Sequence, residues 1–312
     1  MKAVLHYRAS PGFRASLAAL AGELDVVVVD EDSPDFAAEI ADAEILLHVL
    51  KPVTEAMIAA APRLRLIQKI GVGVNTIDLD AARRRNVLVA NMPGTNSQAV
   101  AELALGLMLS VLRRIPALDA ATKAGEGWTP NPALIDTMGE IAGRRVGFLG
   151  FGEVPRRLAP AIAALGGQVL RHDPAAADDA AGRAVDLDTL FAESDILSLH
   201  VPLTDGTRHI VDAARLGRMR PGAILINTAR GELVDEAALA DAIRGGRLRG
   251  AGLDVFEAEP VLPDNPLLAL PQIVATPHLA WLTPETLARS IVVARENCRR
   301  VAAGEALLHR VV

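Results

Sequence analysis

The 312-residue chain holds a single cysteine, Cys298, with one tyrosine and two tryptophans, and its acids outnumber its bases for a net charge of −6. One thiol excludes an internal disulfide framework and fits a reducing cytoplasm. Set in an apolar helical stretch, it reads as a buried thiol rather than a nucleophile. With a pI near 5.7 the chain lacks the basic surface that phosphate backbones require, which argues against nucleic-acid binding. Arg83-Arg84-Arg85 is too short to change that and reads as solvated helix surface. Long apolar runs are missing too: the strongest, 99–112, is broken by Glu102 and Ser110 and ends in Arg113-Arg114. It reads as a long, largely buried helix rather than a membrane span. The start, Met1-Lys2-Ala3-Val4-Leu5, leads into a short strand and not a signal segment. A soluble, cytoplasmic protein with no membrane or nucleic-acid partner is expected.

What is present is alternation. Short apolar runs at 3–6, 26–29, 45–48, 66–69 and 87–90 alternate with helix-like segments at 13–21, 34–41, 54–60 and 79–84. That spacing predicts a parallel sheet with helices on both faces. Asn91-Met92-Pro93-Gly94-Thr95-Asn96-Ser97 then breaks the pattern, and Ser97 is placed to cap the long helix. A second series, at 146–149, 168–170, 196–199, 223–226, 251–253 and 273–275, supplies the six strands of a full dinucleotide-binding domain. The stretch 285–303 reads as one last helix. Length and pattern together predict two α/β domains, each a doubly wound parallel sheet.

The first strand of the second series runs into Gly150-Phe151-Gly152-Glu153-Val154-Pro155, a Gly-x-Gly turn with proline where a dinucleotide fingerprint has its third glycine. Gly150 permits the tight turn, and Gly152 lets backbone approach a pyrophosphate seated on the N–H groups at Glu153 and Val154. Pro155 is tolerated in a first helical turn, so a small helix displacement is expected rather than loss of the site. Asp173, at the end of the next strand, is placed to accept hydrogen bonds from the adenosine ribose and to repel a 2′-phosphate. NAD is therefore favoured over NADP, although Arg171 and His172 are cations that could accommodate that phosphate. The Glu153 side chain is unexpected beside a pyrophosphate and is expected to point to solvent.

Three short segments near the end of the chain each follow an apolar run and deliver one polar residue. They are Asn227-Thr228-Ala229-Arg230-Gly231, Asp254-Val255-Phe256-Glu257-Ala258-Glu259-Pro260 and Thr276-Pro277-His278. In an open parallel sheet ligands bind beyond the carboxyl ends of strands, where these residues can converge. A guanidinium, a carboxylate and an imidazole make a minimal kit for proton transfer beside an anionic substrate. His48 and His209 have no such partners and read as structural.

The order Arg230, Glu259, His278 in these contexts resembles the D-isomer-specific 2-hydroxyacid dehydrogenases. The likeness extends to Ile70-Gly71-Val72-Gly73-Val74-Asn75-Thr76-Ile77-Asp78, Pro93-Gly94-Thr95-Asn96, Val100-Ala101-Glu102 and His200-Val201-Pro202-Leu203-Thr204. It implies a Rossmann NAD-binding domain, 97–282, inserted into a flavodoxin-like substrate domain, 1–96 with 283–312, and a cleft between them. It also implies that the last helix crosses back to complete the first domain, that no metal is needed, and that the protein is a homodimer. By the same likeness the backbone at Gly71, Val72 and Gly73 holds the substrate carboxylate, a role a glycine-turn anion nest could fill on its own chemistry. His200, Val201, Pro202, Thr228 and Ala229 would line the nicotinamide side, Asp254 would approach its carboxamide, and Ala280 would join the cofactor contacts. The implied substrate is a small 2-oxo or 2-hydroxy acid.

The roles follow from the chemistry. When hydride reaches C2 of a 2-oxo acid, negative charge develops on the keto oxygen. His278 would donate a proton there, Glu259 would fix its tautomer, and Arg230 would bind the carboxylate as a planar fork that lysine cannot reproduce. Glu259 argues against formate dehydrogenase, a relative that pairs its histidine with glutamine. The chain stops 34 residues after His278, so the regulatory domain of long phosphoglycerate dehydrogenases is expected to be absent. Leu279-Ala280-Trp281 departs from the usual glycine-rich continuation, and His-x-Ala-Trp resembles the carboxy-terminal-binding-protein branch. Trp281 then either narrows the substrate pocket or packs between domains, and Trp128 reads as a packing or subunit-contact residue. An NAD(H)-sensing, corepressor-like scaffold and an enzyme acting on a non-carboxylate anion such as phosphite remain the alternatives.

Overall fold

Ile45-Leu46-Leu47 and Ile224-Leu225-Ile226 are apolar at every position, so strands built from them must be covered on both faces. The computed structural model describes residues 1–18, 24–128, 132–176 and 181–312. It divides the chain into two compact units, Met1–Asn96 with Trp281–Val312, and Ser97–Ala280.

The first unit holds strands β1 (Lys2–His6), β2 (Asp25–Val29), β3 (Ile45–His48), β4 (Leu66–Lys69) and β5 (Leu88–Ala90). They form one parallel sheet in the order β2-β1-β3-β4-β5, the flavodoxin-like arrangement. Because side chains alternate along a strand, Ala3, Leu5, Ile45, Leu47 and Leu66 enter one apolar cluster while Val4, Leu46, Ile67 and Val89 enter another. The helix Pro284–Ala303 covers the first of these faces with Leu287, Ala294, Cys298 and Val301. Thr283 caps its start by accepting the Thr286 N–H, and Gly304 ends it in the left-handed conformation. Burial pushes the Cys298 thiol up to about 12. The helix predicted at 13–21 is Pro11–Ala18, and its remaining positions, 19–21, lie outside the described residues.

The second unit holds β6 (Arg145–Leu149), β7 (Gln168–His172), β8 (Arg183–Ala184), β9 (Ile196–Leu199), β10 (Ala223–Asn227), β11 (Leu248–Leu253) and β12 (Ile273–Ala275). All are parallel, in the order β12-β11-β10-β9-β6-β7-β8. The edge strand β8 has no counterpart in the predicted set, because two exposed residues carry no apolar run. Leu149, Leu197, Leu199 and Leu225 face one cluster, and Val146, Phe148, Ile196, Ile224 and Ile226 the other. The helix Ser97–Arg113 lays Ala101, Ala104, Leu107, Met108 and Val111 on that second face. Ser97 is buried in its first turn rather than capping it. Among the described residues no helix is long and apolar enough to cross a membrane, and no acid–thiol–imidazole group could hold a metal ion.

The chain leaves the second unit between Ala280 and Trp281, two residues before the boundary expected at 282. The reason is Trp281 itself. Only 7% exposed, it packs into the first unit's core and meets Tyr7 edge-on at 6.0 Å.

Candidate active site

Strand order in the second sheet reverses between β6 and β9, and in such sheets ligands sit outside the carboxyl ends at the reversal. The two strand ends are tied there by His200 N–H donating to the Leu149 carbonyl at 2.7 Å. Gly150 follows with φ +87°, and a Cβ on it would lie 2.7 Å from the His200 carbonyl oxygen. Only glycine fits that turn. The His200 ring is turned inward, bonded to Ser198 Oγ at 2.8 Å and packed on Phe148, and burial lowers its pKa to about 3. What His200 offers at the strand end is backbone; Val201 packs into the core and Pro202 is exposed.

Gly152 caps the helix Glu153–Ala164 without any side-chain bond, and a Cβ placed there would meet nothing within 4 Å. The N–H groups of Glu153 and Val154, in the helix's first turn, have no intrahelical acceptor and no side-chain cap, as a pyrophosphate site requires. Pro155 is buried in the same turn and has no N–H to add. The Glu153 carboxylate is 62% exposed and pairs with Arg157 at 3.3 Å. Asp173, just beyond β7, accepts the Phe151 N–H at 2.7 Å through one oxygen and the Ala175 N–H at 2.8 Å through the other. It thus clamps the glycine turn, and each oxygen keeps a second lone pair for a ribose hydroxyl. Arg171 is buried with its guanidinium 5.7 Å over the Phe151 ring, and His172 bonds the Val185 carbonyl through Nδ1 at 2.9 Å. Farther along the edge, Thr228 Oγ1 is buried without a hydrogen-bond partner in the protein. A buried hydroxyl of this kind needs a partner, and a dinucleotide amide or hydroxyl would supply one. The open helix end, the clamped glycine turn and the orphaned hydroxyl all fit NAD.

At the ends of β10, β11 and β12 the three polar segments meet. Asn227 is almost fully buried and folds the turn after β10: its Nδ2 donates to the Arg230 carbonyl at 2.8 Å and its Oδ1 accepts the Ala229 N–H at 3.0 Å. Gly231 must be glycine, because a Cβ there would lie 1.9 Å from the Phe256 carbonyl carbon. That approach brings the Arg230 turn against the loop carrying Glu259. Arg230 Nη1 donates to the Ala229 carbonyl at 2.6 Å. Burial pushes the guanidinium below its ordinary pKa, opposed by the charges of Glu259 and Glu232.

Glu259 Oε1 accepts the Phe256 N–H at 3.0 Å, and Oε2 lies 2.6 Å from His278 Nδ1. Burial alone would raise the Glu259 pKa. The hydrogen bond and charge of His278, the Phe256 N–H and Arg230 outweigh it and hold the carboxyl below its usual range. An ionised carboxylate only accepts, so Nδ1 carries the hydrogen and Nε2 is the nitrogen that exchanges a proton with a ligand.

His278 itself sits at φ +55°, a left-handed conformation that a non-glycine residue holds only under external constraint. Asp254 supplies the constraint. Its carbonyl accepts the His278 N–H at 2.7 Å, and its buried carboxylate accepts Thr276 Oγ1 at 2.6 Å and the N–H groups of Leu279 and Ala280 at 2.9 Å each. Burial nonetheless raises the Asp254 pKa, with those three donors and the His278 charge opposing. The carboxylate expected to face a carboxamide is thus occupied in shaping the histidine turn, and the Ala280 N–H is spent on it. Asn227 and Asp254 are positioning residues whose neighbours in sequence give only a faint signal, an Asx-type turn and an acid at a strand end.

The remaining predicted residues belong to the first unit. Gly71 has φ +139°, its carbonyl accepts the Met92 N–H at 2.8 Å, and the Val72 carbonyl accepts Asn91 Nδ2 at 2.8 Å. Val72 is exposed. Lys69, at the end of β4, is buried and donates from Nζ to the Val49 carbonyl. Of the two roles considered for Trp281, burial favours packing, though within the first unit's own core. His48 is buried and neutral, its pKa lowered to about 3 by burial, and His209 pairs with Glu257 at 2.9 Å.

Comparison with known proteins bears on this geometry. Residues 105–280 match the family model for the D-isomer specific 2-hydroxyacid dehydrogenase NAD binding domain. Hydroxypyruvate reductase of Thermotoga maritima is 38% identical over 271 residues, covering 86% of this chain and 87% of that protein. D-3-phosphoglycerate dehydrogenase of Mycobacterium tuberculosis is 40% identical over 297 residues, 93% of this chain but 55% of the relative. The chain therefore spans about half the length of the mycobacterial enzymes it matches. A crystal structure from Thermus thermophilus superposes with a TM-score of 0.90 at 33% identity, covering 100% of both chains. Two parallel sheets in these strand orders, a glycine turn at the strand reversal and matches of this extent lead to one assignment: the chain belongs to the D-isomer-specific 2-hydroxyacid dehydrogenase family and carries its NAD-binding domain.

Proposed function

We propose that the protein is an NAD-dependent dehydrogenase interconverting a small D-2-hydroxy acid and its 2-oxo acid. The observation that carries this reading is the 2.6 Å contact between Glu259 Oε2 and His278 Nδ1, with Arg230 on the turn after the neighbouring strand. NAD, when bound, supplies or accepts the hydride at C2. His278 Nε2 donates a proton to the keto oxygen in reduction and takes it back in oxidation, a contribution of roughly 10²–10⁴-fold. Glu259 holds the imidazole in the required tautomer. Arg230 binds the substrate carboxylate through charge-assisted bonds worth about 1.5–3 kcal/mol.

The cofactor's pyrophosphate is assigned to Gly150, Gly152 and the N–H groups of Glu153 and Val154, and its adenosine ribose to Asp173. Its nicotinamide end is assigned to His200, Val201, Pro202, Thr228 and Ala229, with Asp254 and Ala280 holding the turn of His278 beside it. The substrate carboxylate is assigned, beyond Arg230, to the backbone of Gly71, Val72 and Gly73. NADP is disfavoured by Asp173.

We further propose a homodimer in the cytoplasm. The helix Ile115–Lys123 buries none of its residues, and Ile115, Trp128 and Ile135 are 49%, 89% and 51% exposed. A second copy covering this surface would remove them from water. The reducing compartment is read from the lone buried thiol.

Oxidation of NADH against a panel of glyoxylate, hydroxypyruvate, pyruvate and longer 2-oxo acids tests the activity. Turnover of at least one supports it. NADH binding with no turnover of any, and a protein partner captured instead, would favour an NAD(H)-sensing scaffold.

A further inference from the structure

At the opposite end of the second sheet from Arg230 and His278, two guanidinium groups, those of Arg144 and Arg249, close on Gly139, and the charge of a third, Arg114, acts on Arg249. Arg144 immediately precedes β6, Arg249 is the second residue of β11, and Arg114 follows the helix Ser97–Arg113. A Cβ built on Gly139 would lie 2.5 Å from Arg144 Nη2 and 2.9 Å from Arg249 Nη1, so both guanidinium groups close on the same backbone position. The Gly139 N–H is bonded to the Leu112 carbonyl at 3.0 Å, which fixes this backbone beside the end of the helix. The donors of this group are not used up. Arg249 Nη1 and Arg114 Nε are buried atoms with no hydrogen-bond partner.

Charge makes the arrangement unusual. Arg145 and Arg220 on neighbouring segments pair with Glu193 and Asp195 at 3.1 and 2.9 Å. Arg249 is held below its ordinary pKa by burial and then by the charges of Arg144 and Arg114, and among the described residues no carboxylate pairs with it. Arg144 Nε finds only a carbonyl, that of Glu140, at 2.6 Å. Like charges gathered around buried, unpartnered donors raise the free energy of the fold unless an anion joins them. Guanidinium forks approaching from separate segments match the several oxygens of a tetrahedral dianion better than one planar carboxylate.

We propose that Arg114, Arg144 and Arg249, beside the Gly139 backbone, form a binding site for a small phosphate-class oxyanion, separate from the proposed active site. The proposal stands on these residues and does not depend on the dehydrogenase reading. The source is either free phosphate or the phosphate of a small monoester.

The test is calorimetric titration of the full chain, saturated with NADH to occupy the glycine turn, with inorganic phosphate in chloride buffer at fixed ionic strength. Saturable binding is expected for the wild type. Arg249→Ala and Arg144→Ala should weaken it about tenfold or more, and Arg249→Lys, which keeps the charge but not the fork, by less. Glycerol phosphate binding more tightly than phosphate assigns the monoester as source; weaker binding assigns the free ion. Thermal melts separate this from a structural role. Without phosphate, Arg249→Ala should melt no lower than the wild type, because it relieves repulsion, but it should lose the rise that phosphate gives. Equal phosphate affinity in wild type and variants, or no binding at millimolar phosphate, would overturn the proposal. So would an effect of Arg249→Ala on subunit association alone.

Discussion

Asp254 and His278 meet through a 2.7 Å bond from the histidine N–H to the aspartate carbonyl, while the aspartate side chain gathers three more donors from 276, 279 and 280. The left-handed backbone of His278 depends on this clamp. Asp254→Asn puts an amide where three donors expect an acceptor. We expect a loss of about 1–3 kcal/mol in urea unfolding and a fall in kcat of at least tenfold. Native stability with unchanged kcat would mean that the clamp does not position the histidine.

Glu259 tests the pH dependence. Its folded-state pKa lies below the ordinary 4.5, so it contributes stability that is present at neutral pH and lost as pH falls through the folded value. Glu259→Gln abolishes that contribution. The melting-temperature gap between wild type and variant should be widest near neutrality and close on acidification below about pH 4.5. A gap constant from pH 7 to 3 would contradict the assignment.

The pattern of strands was readable because parallel strands buried on both faces are nearly continuous apolar runs, as in Ile45-Leu46-Leu47 and Ile224-Leu225-Ile226. Arg183–Ala184 escaped because an exposed two-residue edge strand has no such run. The helix Ile115–Lys123 also escaped, since it buries nothing and so shows no apolar stripe facing a core. For the site, Arg230, Glu259 and His278 were legible from residue type and placement after strands. The roles of Asn227 and Asp254 were not. Asp254 is defined by donors that arrive from a later strand end, and no local spacing announces them. The burial of Trp281 was not legible for a similar reason: its ring contact, Tyr7, lies far away in the chain.

Asp173 has two jobs that can be separated. Its carboxylate clamps the Phe151 and Ala175 N–H groups and is proposed to bind ribose hydroxyls. Asp173→Ala removes both and should weaken NADH binding about tenfold or more, with a smaller loss for NADPH. Fluorescence titration with the two cofactors measures this. An unchanged preference between them would show that Asp173 serves the turn alone.

Gly231 is a packing test of how the Arg230 turn is held. A methyl there collides with the Phe256 main chain, which cannot yield without moving the Glu259 loop. Gly231→Ala should cost about 1–3 kcal/mol of stability and raise KM for the 2-oxo acid more than for NADH. Wild-type kinetics in a stable Gly231→Ala protein would contradict the coupling of the two turns.

The central claim is that His278, oriented by Glu259, transfers the proton. Single-turnover oxidation of NADH by the best substrate of the 2-oxo acid panel, compared between wild type and His278→Ala, addresses it directly. The account predicts NADH binding within a few-fold of wild type and a rate lower by roughly 10²–10⁴-fold. A rate unaffected by the substitution would contradict it.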